Sequence, residues 1–354
     1  MASLAEMKAL VLTGPGHFDY ADVPLAALSD DEVLVAVRAC GICGSDVHGM
    51  DGSTGRRRPP LVMGHEAAGV IARVGAGVKG WAEGERVTFD STVSCGRCHF
   101  CRQGQLNLCD ERRVLGVSCE EYRRDGAFAD YVAVPARILY RLPDGLSFER
   151  AALLETLSVA VHAVRRVGVS PGDTAVVVGT GMVGLLVVQA LRAYGCDRVI
   201  GADLDAGRLA LAEQFGADTV SGGADAVAAA VRELTGGAGA DLAFEVVGVT
   251  AAVQTAMASV RKAGRVGLVG NLSAMVDLPL QAAVTRELTL YGSCASSGEY
   301  PECIELLSSG KVDVGPLISA VAPLSEGAGW FERLRSGAPG LMKVVLQPAP
   351  GAGR

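Results

Sequence analysis

Thr174-Ala-Val-Val-Val178, followed at once by Gly179-Thr-Gly181-Met-Val-Gly184, is the stretch that decides the fold. The valine run reads as a buried parallel strand, and Leu185 to Tyr194 continues beyond the glycines as an apolar helix. A G-x-G-x-x-G run alone says little, but here it joins a strand to a helix. A second strand, Arg198-Val-Ile-Gly-Ala, ends in Asp203, nineteen residues past Gly184. This is the dinucleotide fingerprint. Its glycines permit a tight turn and close approach of backbone to pyrophosphate at a helix N-terminus, and its acid binds the adenosine ribose hydroxyls. The expected cofactor contacts are Gly179, Gly181, Met182, Val183, Gly184 and Asp203.

Further along, Leu242-Ala-Phe-Glu-Val-Val, a helix over roughly Ala251 to Val260, Arg265-Val-Gly-Leu-Val and Leu288-Thr-Leu-Tyr keep strand and helix alternating to about residue 291. A doubly wound parallel sheet follows. The chain before it differs, with short β-like runs such as Glu32-Val-Leu-Val-Ala-Val and Gly69-Val-Ile-Ala-Arg-Val punctuated by Gly and Pro. That half reads as a β-rich domain. Two domains suit the 354 residues, since single cores rarely grow past about 250–300 residues. No internal repeat is visible, and the tail Pro348 to Arg354 carries no element.

Composition excludes several classes of function. Hydrophobic residues are 49% and charged residues 20%, which rules out disorder and coiled coil. The net charge of −7 gives the chain no general attraction to nucleic acid or an anionic membrane, so the expected partner is a small molecule. The uncharged run Thr174 to Leu191 is 18 residues long, but its glycines split it into strand, loop and helix start, so no membrane span is expected. The N-terminus lacks the apolar core of a secretory signal, and a cytoplasmic location is expected. Ten cysteines then need a reason other than disulfides.

Four of them supply it as Cys95-x2-Cys98-x2-Cys101-x7-Cys109. Cys-x2-Cys turns let sulfurs converge on one ion, a fourth ligand closes the tetrahedron, and a closed set implies a structural zinc. An iron–sulfur cluster would call for a different last gap and a following proline, whereas Asp110 follows Cys109. His99 inside the lobe reads as a bystander. A nucleic-acid-binding zinc module is the competing reading of this lobe, given Arg97, Arg102, Arg112, Arg113, Arg123 and Arg124, but the histidine ligands and recognition helix are missing. A second set is Cys43, His65 and Glu66, from Gly41-Ile-Cys-Gly-Ser-Asp-Val-His48 and Gly64-His-Glu66. One thiolate, one imidazole and one carboxylate leave a coordination position open, which a catalytic zinc needs. Cys40 reads as strand-end packing.

These motifs in this order, with Glu155-Thr-Leu-Ser-Val-Ala-Val-His162 and the closing Lys343-Val-Val-Leu, resemble the zinc-dependent medium-chain alcohol/polyol dehydrogenases over almost the whole chain. The pairing of His65 with Glu66, and Glu155 where other alcohol dehydrogenases carry a cysteine, are most similar to the sorbitol, sugar-alcohol and threonine dehydrogenase branch. The resemblance implies an α/β chain. A GroES-like catalytic domain would span 1–157 with both zinc sites, and a Rossmann NAD-binding domain 158–291. Residues 292–354 would then return to the catalytic domain. It implies two zinc ions per chain and NAD, with Glu155 as a direct or water-bridged fourth ligand and Arg208 packed along the adenosine. The implied reaction is oxidation of a secondary alcohol to a ketone by hydride transfer to nicotinamide, with Ser45 first in a proton relay and His48 its shuttle to solvent. His162 is expected to pack. A homo-oligomer, dimer or tetramer, is expected.

Two departures stand out. Thr156 replaces the branch's usual proline after Glu155, and Ser293-Cys-Ala-Ser-Ser-Gly stands where sorbitol dehydrogenases carry an Arg-Tyr pair for polyol hydroxyls. Threonine and butane-2,3-diol therefore stay open as substrates beside polyols and sugar-derived alcohols, and a cofactor-binding protein without catalysis is the non-enzymatic alternative.

Overall fold

The computed structural model describes residues 6–119 and 122–349, and the far end of the expected tail, 350–354, lies outside them. The chain divides into two compact units. One comprises Met1–Glu155, Tyr300–Ser308 and Leu317–Arg354, the other Thr156–Glu299 and Ser309–Pro316. The first division falls between Glu155 and Thr156, and residues 292–299 and 309–316 group with the second unit. Hydrogen bonds hold these segments there. The Ser293 amide donates to Leu268 O at 2.9 Å. Gln189 exchanges two bonds with the Asp313 backbone, at 3.0 and 2.7 Å.

The first unit is built on a seven-stranded sheet. Its path runs Leu139–Arg141, Arg86–Phe89, Glu66–Val74, Glu32–Gly41, Lys343–Gln347 and Ile318–Pro323, with Tyr131–Pro135 also pairing Glu32–Gly41. Glu32–Gly41 is buried along nearly its whole length, as expected of a central strand covered on both faces. Cys40 within it is 1% exposed, in keeping with a packing role. Its register positions the chemistry: Gly41 lies opposite Glu66 on one side and Val345 on the other. Three segments distant in sequence thus meet where the strand ends. A smaller sheet of Glu6–Gly14, His17–Pro24 and Leu61–Val62 packs through Leu10 and Leu12 on a core that includes Phe128 and Phe331.

The second unit holds six parallel strands in the order Asp218–Ser221, Arg198–Asp203, Thr174–Val178, Ala240–Glu245, Val260–Leu268, Thr289–Gly292. In chain order this is 3-2-1-4-5-6, the doubly wound arrangement whose order reverses beside the first strand, where ligands meet the carboxyl ends of the strands. The first strand is Thr174–Val178 as read from the sequence. The helix after it starts at Met182, three residues earlier than the apolar run suggested, because Gly181 serves as its extended N-cap. Among the described residues no helix is long and apolar enough to cross a membrane.

Candidate active site

Cys43 ends the loop after Glu32–Gly41 and caps the short helix Gly44–Gly49, while Glu66 opens the neighbouring strand and His65 immediately precedes it. One ligand atom from each of Cys43, His65 and Glu66 lies within 4.8 Å of the others, with His65 and Glu66 buried. The orientation of His65 is set from behind. Its Nδ1 lies 3.5 Å from Asp46 Oδ2, and neither buried atom has a hydrogen-bond partner, so Nε2 is the nitrogen left for a metal. A carboxylate behind a ligating imidazole fixes its tautomer and raises its basicity. Burial disfavours charge on His65, but Asp46 and Cys43 outweigh it and push its pKa up to about 10. A metal ion entering here displaces that proton. The soft and hard donors, their convergence and the oriented imidazole fit a zinc ion with a free position.

Two cations complete this cluster, and sequence reasoning assigned neither. Lys343 Nζ reaches both oxygens of Glu66, at 2.8 and 2.6 Å, and Ile42 O at 3.2 Å, with the ammonium side chain 3% exposed. Gly41 makes room for this pair, since a β-carbon there would collide with Glu66 Oε2. Arg57, equally buried, donates to Asp46 Oδ1 from Nε at 3.2 Å and from a terminal nitrogen at 2.7 Å, and to Ser45 Oγ at 3.4 Å. Ser45 Oγ in turn donates to Cys43 Sγ at 3.2 Å. Arg57 thus stands behind two of the three converging residues, His65 through Asp46 and Cys43 through Ser45. Lys343 carried a signal in the closing motif, whereas Arg57 is one arginine of three in a row and had none.

Glu155 lies outside the set of three, in the first turn of the helix Leu154–Val167. Burial raises its pKa, His65 opposes and Glu66 adds, leaving it at about 7. His48 is exposed on its short helix. His162 is a correction: it is not simple packing, because its Nδ1 meets Glu299, a buried carboxylate, at 2.9 Å.

The four cysteines of the lobe also converge within 4.8 Å. Backbone amides point at their sulfurs: Cys95 N to Cys109 Sγ at 3.2 Å, Cys98 N to Cys95 Sγ at 3.4 Å and Cys101 N to Cys98 Sγ at 3.4 Å. The amides of Arg97 and Cys98 bring Cys95 down to about 7, while burial takes Cys109 up to about 12. Such N–H donors suit thiolates, and a closed set of four sulfurs fits a structural zinc. His99 makes an edge contact with Phe100.

In the second unit Gly179 has φ +92°, which favours glycine, and a β-carbon on Gly184 would collide with the Gly179 carbonyl. Asp203 closes its strand with both carboxylate oxygens oriented by backbone amides. Oδ2 takes the Thr180 amide at 2.7 Å, and Oδ1 takes the amides of Leu204 and Asp205 at 2.7 and 3.0 Å. Arg208, held by the Asp205 cap of its helix, brings a guanidinium nitrogen to 3.9 Å from Asp203 Oδ2. Met182 and Val183 are half-buried at the helix start.

Residues 29–144 match the alcohol dehydrogenase GroES-like domain and residues 182–309 the zinc-binding dehydrogenase domain. The chain is 36% identical over 348 residues to sorbitol dehydrogenase of Bacillus subtilis (strain 168), covering 97% of each chain. It is 37% identical over 307 residues to L-idonate 5-dehydrogenase of Vitis vinifera, covering 83% of this chain and 82% of that one. Among solved structures, a zinc-binding dehydrogenase of Sinorhizobium meliloti 1021 bound to NADP superposes with TM-score 0.88 at 32% identity, over 97% of this chain and 99% of the other. The chain therefore belongs to the zinc-dependent medium-chain alcohol and polyol dehydrogenases.

Proposed function

We propose that this protein oxidises one secondary carbon of a polyol, sugar-derived alcohol or short vicinal diol with NAD, in the cytoplasm and as a homo-oligomer. The observation that carries the reading is the open set of Cys43, His65 and Glu66 in one unit and a built dinucleotide loop in the other. When bound, zinc would supply a Lewis acid for the substrate oxygen and NAD a hydride acceptor. Cys43, His65 and Glu66 hold the catalytic ion, with Glu155 beside them as a direct or water-bridged fourth ligand, and Cys95, Cys98, Cys101 and Cys109 hold the structural one. Ser45 Oγ takes the released proton as it hands its own hydroxyl proton on, and His48, three residues further along the chain and exposed, passes it to solvent. Gly179 to Gly184 receive the pyrophosphate, Asp203 the ribose hydroxyls, and Arg208 lies along the adenosine.

The substrate reading rests on Ser293 to Ser297. This stretch offers neither the cation nor the phenol that grips a row of hydroxyls, and such a wall discriminates weakly. Sorbitol is ranked as a poor substrate, with threonine and butane-2,3-diol still open. A panel of secondary alcohols, polyols, sugar acids and threonine, read by nicotinamide absorbance with each cofactor, tests this. Small diols or sugar-derived alcohols should be turned over with NAD at least about a hundredfold more efficiently than with NADP. Asp203 would face the 2′-phosphate as a like charge, at up to about 4 kcal/mol for ~4 Å and an effective dielectric of ~20 before screening. Equal efficiency with the two cofactors overturns the role of Asp203, and micromolar sorbitol turnover with inert diols overturns the substrate reading.

Arg57 is expected to matter although it touches no ligand directly. Arg57→Ala should speed loss of the catalytic zinc to a chelator by about 10–100-fold, the usual scale for a group that orients metal ligands. Arg57→Lys should recover part of that, since one ammonium reaches Asp46 but not Ser45 as well. Equal zinc loss from Arg57→Ala and wild-type protein would remove the assignment.

A further inference from the structure

A cavity of about 410 Å³ opens in the second unit, lined by Arg232, Arg261, Lys262 and Arg286 together with apolar residues that include Ala238 and Val260. Four of its eight lining residues are cations and none is an acid, in a chain with 32 Lys and Arg among 354 residues and a net charge of −7. It sits at the amino ends of the strands, where Ala240 faces Val260. The dinucleotide loop lies at the carboxyl ends, about 17 Å away at roughly 3.3 Å per residue along Ala240–Glu245. No part of the proposed reaction uses it.

The cavity is made by an irregularity in the sheet. Ala240 pairs with Val260 but Leu242 pairs with Arg265, so residues 261–264 bulge out against the single residue Asp241. Ala263 in the bulge takes φ +56°, unusual for a residue with a side chain, and its amide donates to Arg286 O at 2.8 Å. That bond ties the bulge to the segment carrying Arg286. Two of the cations are anchored: Arg261 on Asp241 at 2.7 Å, and Arg286 on the carbonyls of Met257 and Val260. Arg232, in the last turn of Ala224–Leu234, and Lys262 are exposed and have no side-chain partner among the described residues. Asp241 neutralises one of the four charges. Guanidinium forks and an ammonium around one cavity suit the oxygens of a phosphate, which takes paired N–H donors.

We propose that this cavity binds the phosphoryl dianion of a small metabolite, at a site separate from both zinc sites and from the dinucleotide loop. The test uses the full-length protein saturated with NADH, so that the dinucleotide loop is filled. Inorganic pyrophosphate and glycerol 3-phosphate are titrated by calorimetry and by thermal unfolding, with sodium chloride at matched ionic strength as control. One saturable site per chain is expected, with a rise in melting temperature. The double variant Arg232→Ala/Lys262→Ala should bind at least about tenfold more weakly, with its melting temperature without anion and its NADH affinity unchanged. A tighter fit for the ester identifies an organic phosphate, and a tighter fit for pyrophosphate an inorganic one. No binding, equal binding by the double variant, or the same response to sodium chloride overturns the proposal. These readouts do not depend on alcohol oxidation, so they stand or fall apart from the catalytic reading.

Discussion

Lys343→Met is expected to destabilise the metal-free protein by about 3–5 kcal/mol, the scale for removing one partner of a buried ion pair. The reason is what it leaves behind. Glu66 is fully buried with both oxygens on Lys343, and Met would fill the stem of the lysine while leaving a carboxylate without its cation. The pairing outweighs the burial of Lys343 itself and holds its ammonium charged. Three outcomes separate this account from simple repacking. In urea, the unfolding midpoint of metal-free Lys343→Met should fall, and adding Glu66→Gln should recover much of the loss, because the stranded charge is gone. Zinc should also narrow the gap between Lys343→Met and wild type, since an ion held by Glu66 supplies a second cation. A midpoint equal to wild type without metal would show that Glu66 is accommodated some other way.

Cys98→Ser should reduce zinc from two ions per chain to one and loosen the lobe, with trypsin cutting at Arg97, Arg102 or Arg112 on the order of tenfold faster or more. The lobe has little else to hold it. Between Cys95 and Asp110 only Asn107 and Cys109 are buried, and its helix His99–Arg102 is four residues long, too short to persist alone. Burial of apolar surface cannot order this segment, so ligation must. Serine is a suitable control because Cys98 caps that helix, with its sulfur accepting the Cys101 amide, and serine caps at least as well. Any loss therefore reports the sulfur's bond to metal. Elemental analysis still giving two zinc ions, or unchanged proteolysis, would count against a structural site here.

Much of this protein was legible in its sequence because the relevant groups are close along the chain. The fingerprint from Thr174 to Asp203 is one strand, one turn, one helix and one strand, so covalent connection alone brings Gly179, Gly184 and Asp203 into one cradle, and the structure places the glycines at the positions that need them. The four cysteines lie within fifteen residues, and short loops leave their sulfurs few ways not to converge. His65 and Glu66 are adjacent, and only the 22-residue step from Cys43 had to be supplied by strand pairing. Where the sequence misjudged, the partner was remote: His162 has the periodicity of a packed helical residue, and nothing within a turn of it announces Glu299, 137 residues away.

What only the tertiary structure decided has the same physical origin. Lys343 is 277 residues from Glu66, and they meet because Lys343–Gln347 and Glu66–Val74 both pair with Glu32–Gly41. Register, a property of the whole sheet, sets that contact. Arg57 is buried while its neighbour Arg58 is not, a difference made by Asp46 waiting behind His65. The cationic cavity depends on a bulge that gathers residues from 232 to 286. Local spacing determines which groups can share a loop or a metal, and sequence states it outright. The countercharges that make burial of those groups tolerable arrive across strands and loops, and their identity exists only once the chain has folded.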